Sequence, residues 1–155
     1  MISQQESGRS MVEMLAVLCV IGVLVAGATS GISFGMTSYK VSSVHQRVES
    51  IASGVSDLFS WRREFPTDES FGTLISKNEV CSGCEFQKNG DGAVMNDSGF
   101  GPISVQPSNY ESFGIAVEEV PEDACNQLKE KQWVNAEWSE PAVCGASNTI
   151  RFIGY

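Results

Sequence analysis

Residues 8–25, GRSMVEMLAVLCVIGVLV, form a nearly unbroken apolar run around which the rest of the chain is organised. Within residues 11–28, the only ionisable side chains are those of Glu13 and Cys19. This length approaches the ~20 apolar residues that a helix needs to cross the hydrocarbon core of a bilayer. A globular helix of this length normally has a polar face, and this run has almost none before Thr29. The run therefore predicts a membrane-spanning helix.

A secretory signal peptide is the alternative interpretation of this run. Signal peptides begin with a positively charged region, whereas the only charged side chain among the first eight residues is that of Glu6. The apolar run is also longer than the usual core of a signal peptide, about 7–15 residues. Under this alternative, the chain would be cut after Gly27 and Ala28.

Glu13 is the one acid within the apolar run. A carboxylate in apolar surroundings costs several kcal/mol unless it is neutralised or paired. Arg9 is one candidate partner, because it lies four residues earlier on the same helix face. The other candidate is a free α-amine, which would exist if the chain were cut just before Arg9.

Gly8, followed by an apolar segment with an acid at its fifth position, resembles the prepilin cleavage site of the type IV pilin family. The resemblance implies that a peptidase cuts after Gly8, the last leader residue, and methylates the new N-terminus at Arg9. It also implies that Glu13 meets the N-terminal amine of a neighbouring subunit during assembly. The sequence departs from the family pattern at Arg9, where Phe or Met is usual, and the leader has no basic residue.

A second pattern follows the apolar run. Apolar residues recur at alternating steps of three and four, as on one face of a helix: Val41, Val44, Val48, Ile51, Val55 and Leu58. With no helix breaker from Met11 to Trp61, we predict one helix of about 50 residues. The stripe stops at Trp61, which argues against a coiled coil and predicts packing on a domain formed by the rest of the chain. His45 is predicted to be a solvated position of this helix.

The remainder, residues 64–155, is strongly acidic. It holds 15 acidic and five basic side chains, which is a net charge of −10. Such a surface repels phosphate backbones and anionic lipid, so nucleic-acid binding is not expected. The serines lack a Gly-x-Ser-x-Gly setting and no nucleophile–base arrangement is visible, so we expect neither an enzyme nor a cofactor.

The local patterns of residues 64–155 predict a mixed fold. Pro66 ends the long helix, and a helix or turn is expected at residues 70–75. The predicted later elements are tight turns within residues 77–101, strands at 103–105, 110–117 and 149–153, and a helix that Pro121 opens and that continues to Trp133. The predicted class is α+β, a long N-terminal helix packed on a small antiparallel sheet, as in the pilin fold. A calcium loop at residues 90–99 is a weak alternative, because the spacing fails the EF-hand pattern.

Five cysteines are present, and Cys19 is interpreted as an apolar filler. Cys81, Cys84, Cys125 and Cys144 allow three pairings. The preferred pairs are Cys81–Cys84 and Cys125–Cys144, the second of which resembles the bridge of type IVb pilins. The Cys125–Cys144 bridge closes a loop of about 20 residues, and by chain entropy it adds ~3 kcal/mol to the free energy of unfolding. A redox CxxC and a four-cysteine zinc site remain alternatives, although no metal site is the expectation.

These patterns and the resemblance together predict four segments. They are a leader at residues 1–8, the transmembrane and assembly half of the helix at 9–30, its amphipathic half at 31–63, and a disulfide-containing head at 64–155. The expected function is that of a subunit of the type IV pilus, a filament that is a homopolymer of this chain. The family resemblance links this filament to cell adhesion and secretion.

The expected partners are other copies of the chain, the prepilin peptidase, the inner-membrane assembly machinery and, before assembly, membrane lipid. The expected location is the bacterial inner membrane with a periplasmic head, and then the extracellular pilus. The alternatives are a pseudopilin of a type II secretion system and an uncleaved single-pass membrane protein whose head binds a ligand.

Overall fold

A computed structural model of the chain describes residues 6–62, 64–96, 99–139, 144 and 149–155. Side chains of residues 6–10, 29 and 30 lie outside this description. The chain forms two compact units, Met1–Thr37 and Ser38–Tyr155.

The first element is the long helix α1, Glu6–Phe59, of 54 residues. It begins before the predicted Met11 and ends two residues before the predicted Trp61. A turn at residues 60–62 follows, in which the Ser60 hydroxyl donates to the carbonyl of Asp57. The prediction of one long helix is confirmed.

The head contains one antiparallel sheet of six strands. The strands are β1 Gln87–Asn89, β2 Gly92–Met95, β3 Ile103–Asn109, β4 Ser112–Val117, β5 Glu137–Trp138 and β6 Ile150–Gly154. Their order across the sheet is β1-β2-β3-β4-β6-β5, and every neighbouring pair is antiparallel. The predicted α+β class, a long N-terminal helix with a small antiparallel sheet, is confirmed.

The sequence predicted only part of this sheet. Strands β3, β4 and β6 lie where strands were expected, but Tyr110 and Glu111 form a turn rather than the start of β4. The Asn109 side chain explains this turn, because its Oδ1 accepts from the Glu111 backbone N–H at 2.8 Å. The expected tight turn after Asn89 joins β1 to β2, with Gly90 at a φ of +60°.

Two shorter helices complete the head. Helix α2, Glu69–Lys77, is capped at its N-terminus by Asp68, whose carboxylate accepts from the backbone N–H of Ser70 at 3.0 Å. Helix α3, Glu122–Lys129, follows Pro121 as predicted but does not continue to Trp133. The indole N–H of Trp133 instead donates to the carbonyl of Leu128 at 3.2 Å, so this side chain folds back over the end of α3.

The predicted stripe of α1 lies in the core of the second unit. Val41, Val44, Val48, Ile51 and Val55 are at most 1% exposed, and Leu58 is half-buried. They share one apolar cluster with alternate residues of the sheet, namely Ile103, Val105, Phe113, Ile115, Val117, Ile150 and Phe152. The prediction that this stripe packs on a domain supplied by the rest of the chain is therefore confirmed.

One close backbone approach locks α1 against the loop after α2. A methyl group at Gly54 would overlap the carbonyl oxygen of Val80, so glycine is the residue that fits this contact. Val80 is itself buried and is followed by the Cys81–Cys84 bridge. The position of this loop thus depends on the absence of a side chain at Gly54.

We expect Gly54→Ala to lower the free energy of unfolding of the head by about 1–3 kcal/mol, because the helix or the loop must shift to admit the methyl group. Chemical denaturation of the full chain in detergent micelles, followed by tryptophan fluorescence, measures this loss. Ser50→Ala is the matched control at an exposed site of the same helix, and its effect should stay within ~0.5 kcal/mol. Equal stability of the two variants would contradict the packing argument.

Candidate assembly surface

The apolar run of α1, residues 11–28, is termed the apolar segment. All of its side chains are exposed, for example Met11 at 71%, Leu18 at 62% and Val23 at 74%. An 18-residue window of the helix has a mean hydropathy of 2.5, and none of that window is buried. By length and composition this helix can cross a membrane, and a signal sequence near an N-terminus meets the same criterion. Its apolar surface has no cover within the described part of the chain.

Glu13 projects from this exposed apolar segment. Among the side chains that the structure describes, none forms an ion pair or hydrogen bond with its carboxylate. Gly8 and Arg9 lie within α1, but the Arg9 side chain is outside the described set. The roles of Gly8, Arg9 and Glu13 in processing and assembly therefore remain predictions.

Four of the five cysteines are joined in pairs. Disulfides link Cys81 to Cys84 and Cys125 to Cys144, with Cα–Cα distances of 5.3 and 5.7 Å. These are the preferred pairs of the sequence analysis, and sulfurs joined in disulfides are not available as the thiolates that a four-cysteine zinc site requires. Cys19, in the apolar segment, is a free thiol. No cluster of potential metal ligands exists among the described residues, which include only part of the weak calcium-loop candidate at 90–99.

A polar contact that the sequence analysis missed joins α1 to the segment after α3. The Glu49 carboxylate accepts the backbone N–H of Val134 at 2.7 Å and that of Asn135 at 2.9 Å. Each bond is charge-assisted, and together they fix two successive residues. We call residues 132–135 the clamped loop.

His45 holds the same loop one helical turn earlier. Its Nε2 lies 2.9 Å from the carbonyl oxygen of Gln132, and since a carbonyl only accepts, this nitrogen carries the proton. The imidazole also packs on the Trp133 ring at 4.6 Å, and Trp133 packs on Phe152 at 4.3 Å. The prediction of a simply solvated His45 is therefore wrong, because the side chain is half-buried between α1 and the loop. His45 and Glu49 are four residues apart and so lie on one face of the helix. This spacing was the signal in the sequence that both could contact the same loop.

A polar groove lies beside the clamped loop, between α1 and β5. Its volume is about 300 Å³, and it is lined by Ser53, Ser56, Asp57, Val134, Asn135, Ala136, Glu137 and Tyr155. The Ser56 hydroxyl donates to the backbone carbonyl of Tyr155 at 2.6 Å. The Tyr155 hydroxyl donates to Glu137 at 3.1 Å, and this bond to a carboxylate raises the pKa of Tyr155. The groove is open and polar, with no paired nucleophile and base.

Two exposed carboxyls at the start of α2 have altered acidity. The Ser70 hydroxyl and backbone N–H both donate to Asp68, which lowers the pKa of that carboxyl. The Lys88 ammonium lies 2.7 Å from Glu69, and its hydrogen bond lowers the pKa of Glu69. Both carboxyls are exposed. The Asp68 contact caps the start of α2, and the Glu69 contact joins α2 to strand β1.

Comparison with known families identifies the class of the protein. Residues 38–151 match the family described as PilS N terminal, a type IV pilin domain. No curated protein and no solved structure matches the chain. The family match covers most of the chain.

The chain therefore belongs to the PilS N-terminal family of type IV pilin domains. Pilins are structural subunits rather than enzymes, and their family implies self-association into pili. The matched range begins at the second compact unit and does not include the apolar segment. An apolar N-terminal helix and pilin membership together fit a membrane-anchored protein that becomes part of a pilus.

We expect Glu49→Gln to speed the exchange of the backbone amide hydrogens of Val134 and Asn135 by about tenfold, because one charge-assisted acceptor is replaced by an amide. Hydrogen exchange with mass spectrometry on the full chain measures this change. Glu85→Gln, at an exposed loop position, removes the same charge and should leave both amides unchanged. Wild-type exchange rates in the Glu49 variant would show that the carboxylate does not hold the loop.

Proposed function

We propose that this chain is a subunit of a type IV pilus filament, made as a precursor and polymerised through its apolar segment. The observation that carries the proposal is a fully exposed apolar segment with one acid, Glu13, in a chain of the pilin family. A surface of this kind must be covered by lipid or by other apolar helices. A filament covers it with the helices of other copies.

The proposed assembly begins with cleavage after Gly8. The new α-amine of Arg9 adds a positive charge close to the apolar segment of a neighbouring subunit. When a subunit leaves the membrane, an unpaired Glu13 carboxylate in apolar surroundings costs several kcal/mol, and a neighbour's amine or guanidinium removes that cost. The pairing fixes the axial position of one helix against the next, because only one register brings the two charges together.

The proposed arrangement assigns a role to each part of the chain. Residues 1–8 are the leader, 9–30 the transmembrane and assembly helix, 31–63 the amphipathic half, and 64–155 the head. The precursor waits in the inner membrane with its head in the periplasm, and the filament extends from the cell surface. Its partners are other copies, the prepilin peptidase, the inner-membrane assembly machinery and lipid before assembly.

Mass spectrometry of sheared filament protein tests the processing step. We expect a mature chain that begins at Arg9 and carries a methyl group on its α-amine. Substituting Gly8 by Ala should block cleavage and leave the precursor in the membrane fraction. A mature N-terminus at any other residue would refute the cleavage proposal.

Replacing Glu13 by Val tests the assembly step. We expect normal membrane insertion and a filament yield reduced more than about tenfold, because the partner cation is left unpaired among apolar side chains. Quantitative immunoblotting of the membrane and sheared fractions provides both readouts. Val12→Ala is the control, since it alters the neighbouring side chain and keeps the carboxylate. Normal filaments from the Glu13 variant would rule out the proposed pairing.

A further inference from the structure

The Cys81–Cys84 bridge closes a small surface loop beside an open cavity. The two cysteines have a sequence separation of 3, and the residues between them, Ser82 and Gly83, are exposed. Cys84 is half-buried and lines the cavity, whose volume is about 390 Å³, whereas Cys81 is only 8% exposed and is not part of the lining. A reagent that enters this cavity therefore reaches the bridge from the Cys84 side.

Both ends of this loop are held by contacts other than the disulfide. Before Cys81, the buried Val80 packs its carbonyl oxygen against Gly54 of α1. After Cys84, Phe86 is 8% exposed and belongs to the apolar core. These contacts do not depend on the S–S bond, so the two thiols stay close together after it is cleaved and can form it again.

The two disulfides of the head differ in how much chain they close. Cys125 and Cys144 have a sequence separation of 19, against 3 for Cys81 and Cys84. In the chain-entropy model this difference in loop length corresponds to about a tenfold difference in the effect on the unfolding equilibrium constant. Cys125–Cys144 is therefore the structural bridge, and loss of Cys81–Cys84 costs the fold less.

The setting of the Cys81–Cys84 pair is that of a target rather than a catalyst of thiol exchange. A cysteine that attacks other disulfides needs a stabilised thiolate, as at the N-terminus of a helix. The element that follows this pair is strand β1, and no helix begins within the described residues 82–96.

We propose that Cys81–Cys84 is a redox-sensitive bond, opened by thiol–disulfide exchange with a dithiol small enough to enter the cavity. A thiolate of the dithiol attacks Sγ of Cys84, the S–S bond breaks, and its electron pair leaves on Sγ of Cys81. The second thiolate of the dithiol then attacks its own sulfur that is bound to Cys84 and releases the Cys84 thiolate. Two electrons and two protons pass to the chain, and the dithiol becomes a disulfide. This site lies outside the proposed assembly of the filament and does not depend on it.

The charges around the cavity favour one class of dithiol. Lys77, Glu79 and Glu85 line the cavity and are exposed, so one base stands against two acids, a net charge of −1. An anionic dithiol is repelled by this charge, whereas a neutral one is not. The bond should therefore open more readily with a neutral dithiol such as dithiothreitol than with the anionic dimercaptosuccinate.

Reduction of the full chain in detergent micelles, without denaturant, tests the proposal. After treatment with dithiothreitol, the thiols are alkylated and measured by peptide mass spectrometry. Cys81 and Cys84 should be modified at least about fivefold faster than Cys125 and Cys144, and oxidised dithiothreitol should restore their bond. Equal rates for the two bridges, or reduction only after unfolding, would overturn the proposal.

The site of attack is tested with a monothiol. Acid quenching during reaction with 2-mercaptoethanol should trap a mixed disulfide that maps to Cys84. Trapping mainly on Cys81 would contradict entry through the cavity.

A charge change in the cavity tests the route of entry independently. Glu85→Lys and Glu111→Lys make the same change at two exposed sites, and only Glu85 lines the cavity. The Glu85 variant should be reduced by dimercaptosuccinate about two- to fivefold faster than the Glu111 variant, with equal rates for dithiothreitol. Equal acceleration in both variants would attribute the effect to overall charge and refute the cavity as the route.

Paired substitutions separate a redox-sensitive bond from a structural one. Chemical denaturation compares a Cys81→Ser, Cys84→Ser chain with a Cys125→Ser, Cys144→Ser chain. The first pair should raise the unfolding equilibrium constant about tenfold less than the second, and a second variant that does not fold agrees with this order. A first variant that is equally destabilised, or that does not fold, would show that Cys81–Cys84 is structural and would sink the proposal.

Discussion

The structure depends on one constraint: the apolar side chains of residues 11–28 are not covered by any part of the chain that the structure describes. Along one continuous helix, residues 11–28 are exposed, whereas the stripe from Val41 to Val55 is buried. The second half of the helix obtains its cover from the sheet of the same chain. The first half must obtain its cover elsewhere, and in the assembly that we propose other copies of the chain provide that cover.

The head combines an apolar core with individual contacts that hold its surface loops, namely close packing, hydrogen bonds and disulfides. Sheet residues such as Phe113 and Phe152 complete the core around the α1 stripe. The loops on its surface are held individually: the loop after α2 by the contact of Gly54 with Val80, and the loop after α3 by Glu49. These contacts determine which side chains the head exposes on its surface. The negative charge of that surface then limits where another head can approach.

Periodicity made the long helix and its buried stripe predictable, because 3.6-residue spacing reports directly on one buried face. It also located β3, β4 and β6, whose alternate residues face the core. Strands β1, β2 and β5 were not predicted, since all three residues of β1 are exposed and β2 and β5 have only four and two residues. The sequence analysis placed the end of α3 too far along the chain, because Trp133 folds back to contact Leu128. It missed the role of Glu49 because the partners of this side chain are backbone amides about 85 residues away in sequence.

Labelling of Cys19 tests most directly whether other copies cover the apolar segment. Cys19 is the free thiol of the chain and lies in that segment, so it reports on its cover without any substitution. In detergent-free sheared filaments, a water-soluble maleimide should leave Cys19 unmodified until the filaments are dissolved in denaturing detergent. Rapid labelling of Cys19 in intact filaments would mean that the segment is open to water, and the account would be contradicted.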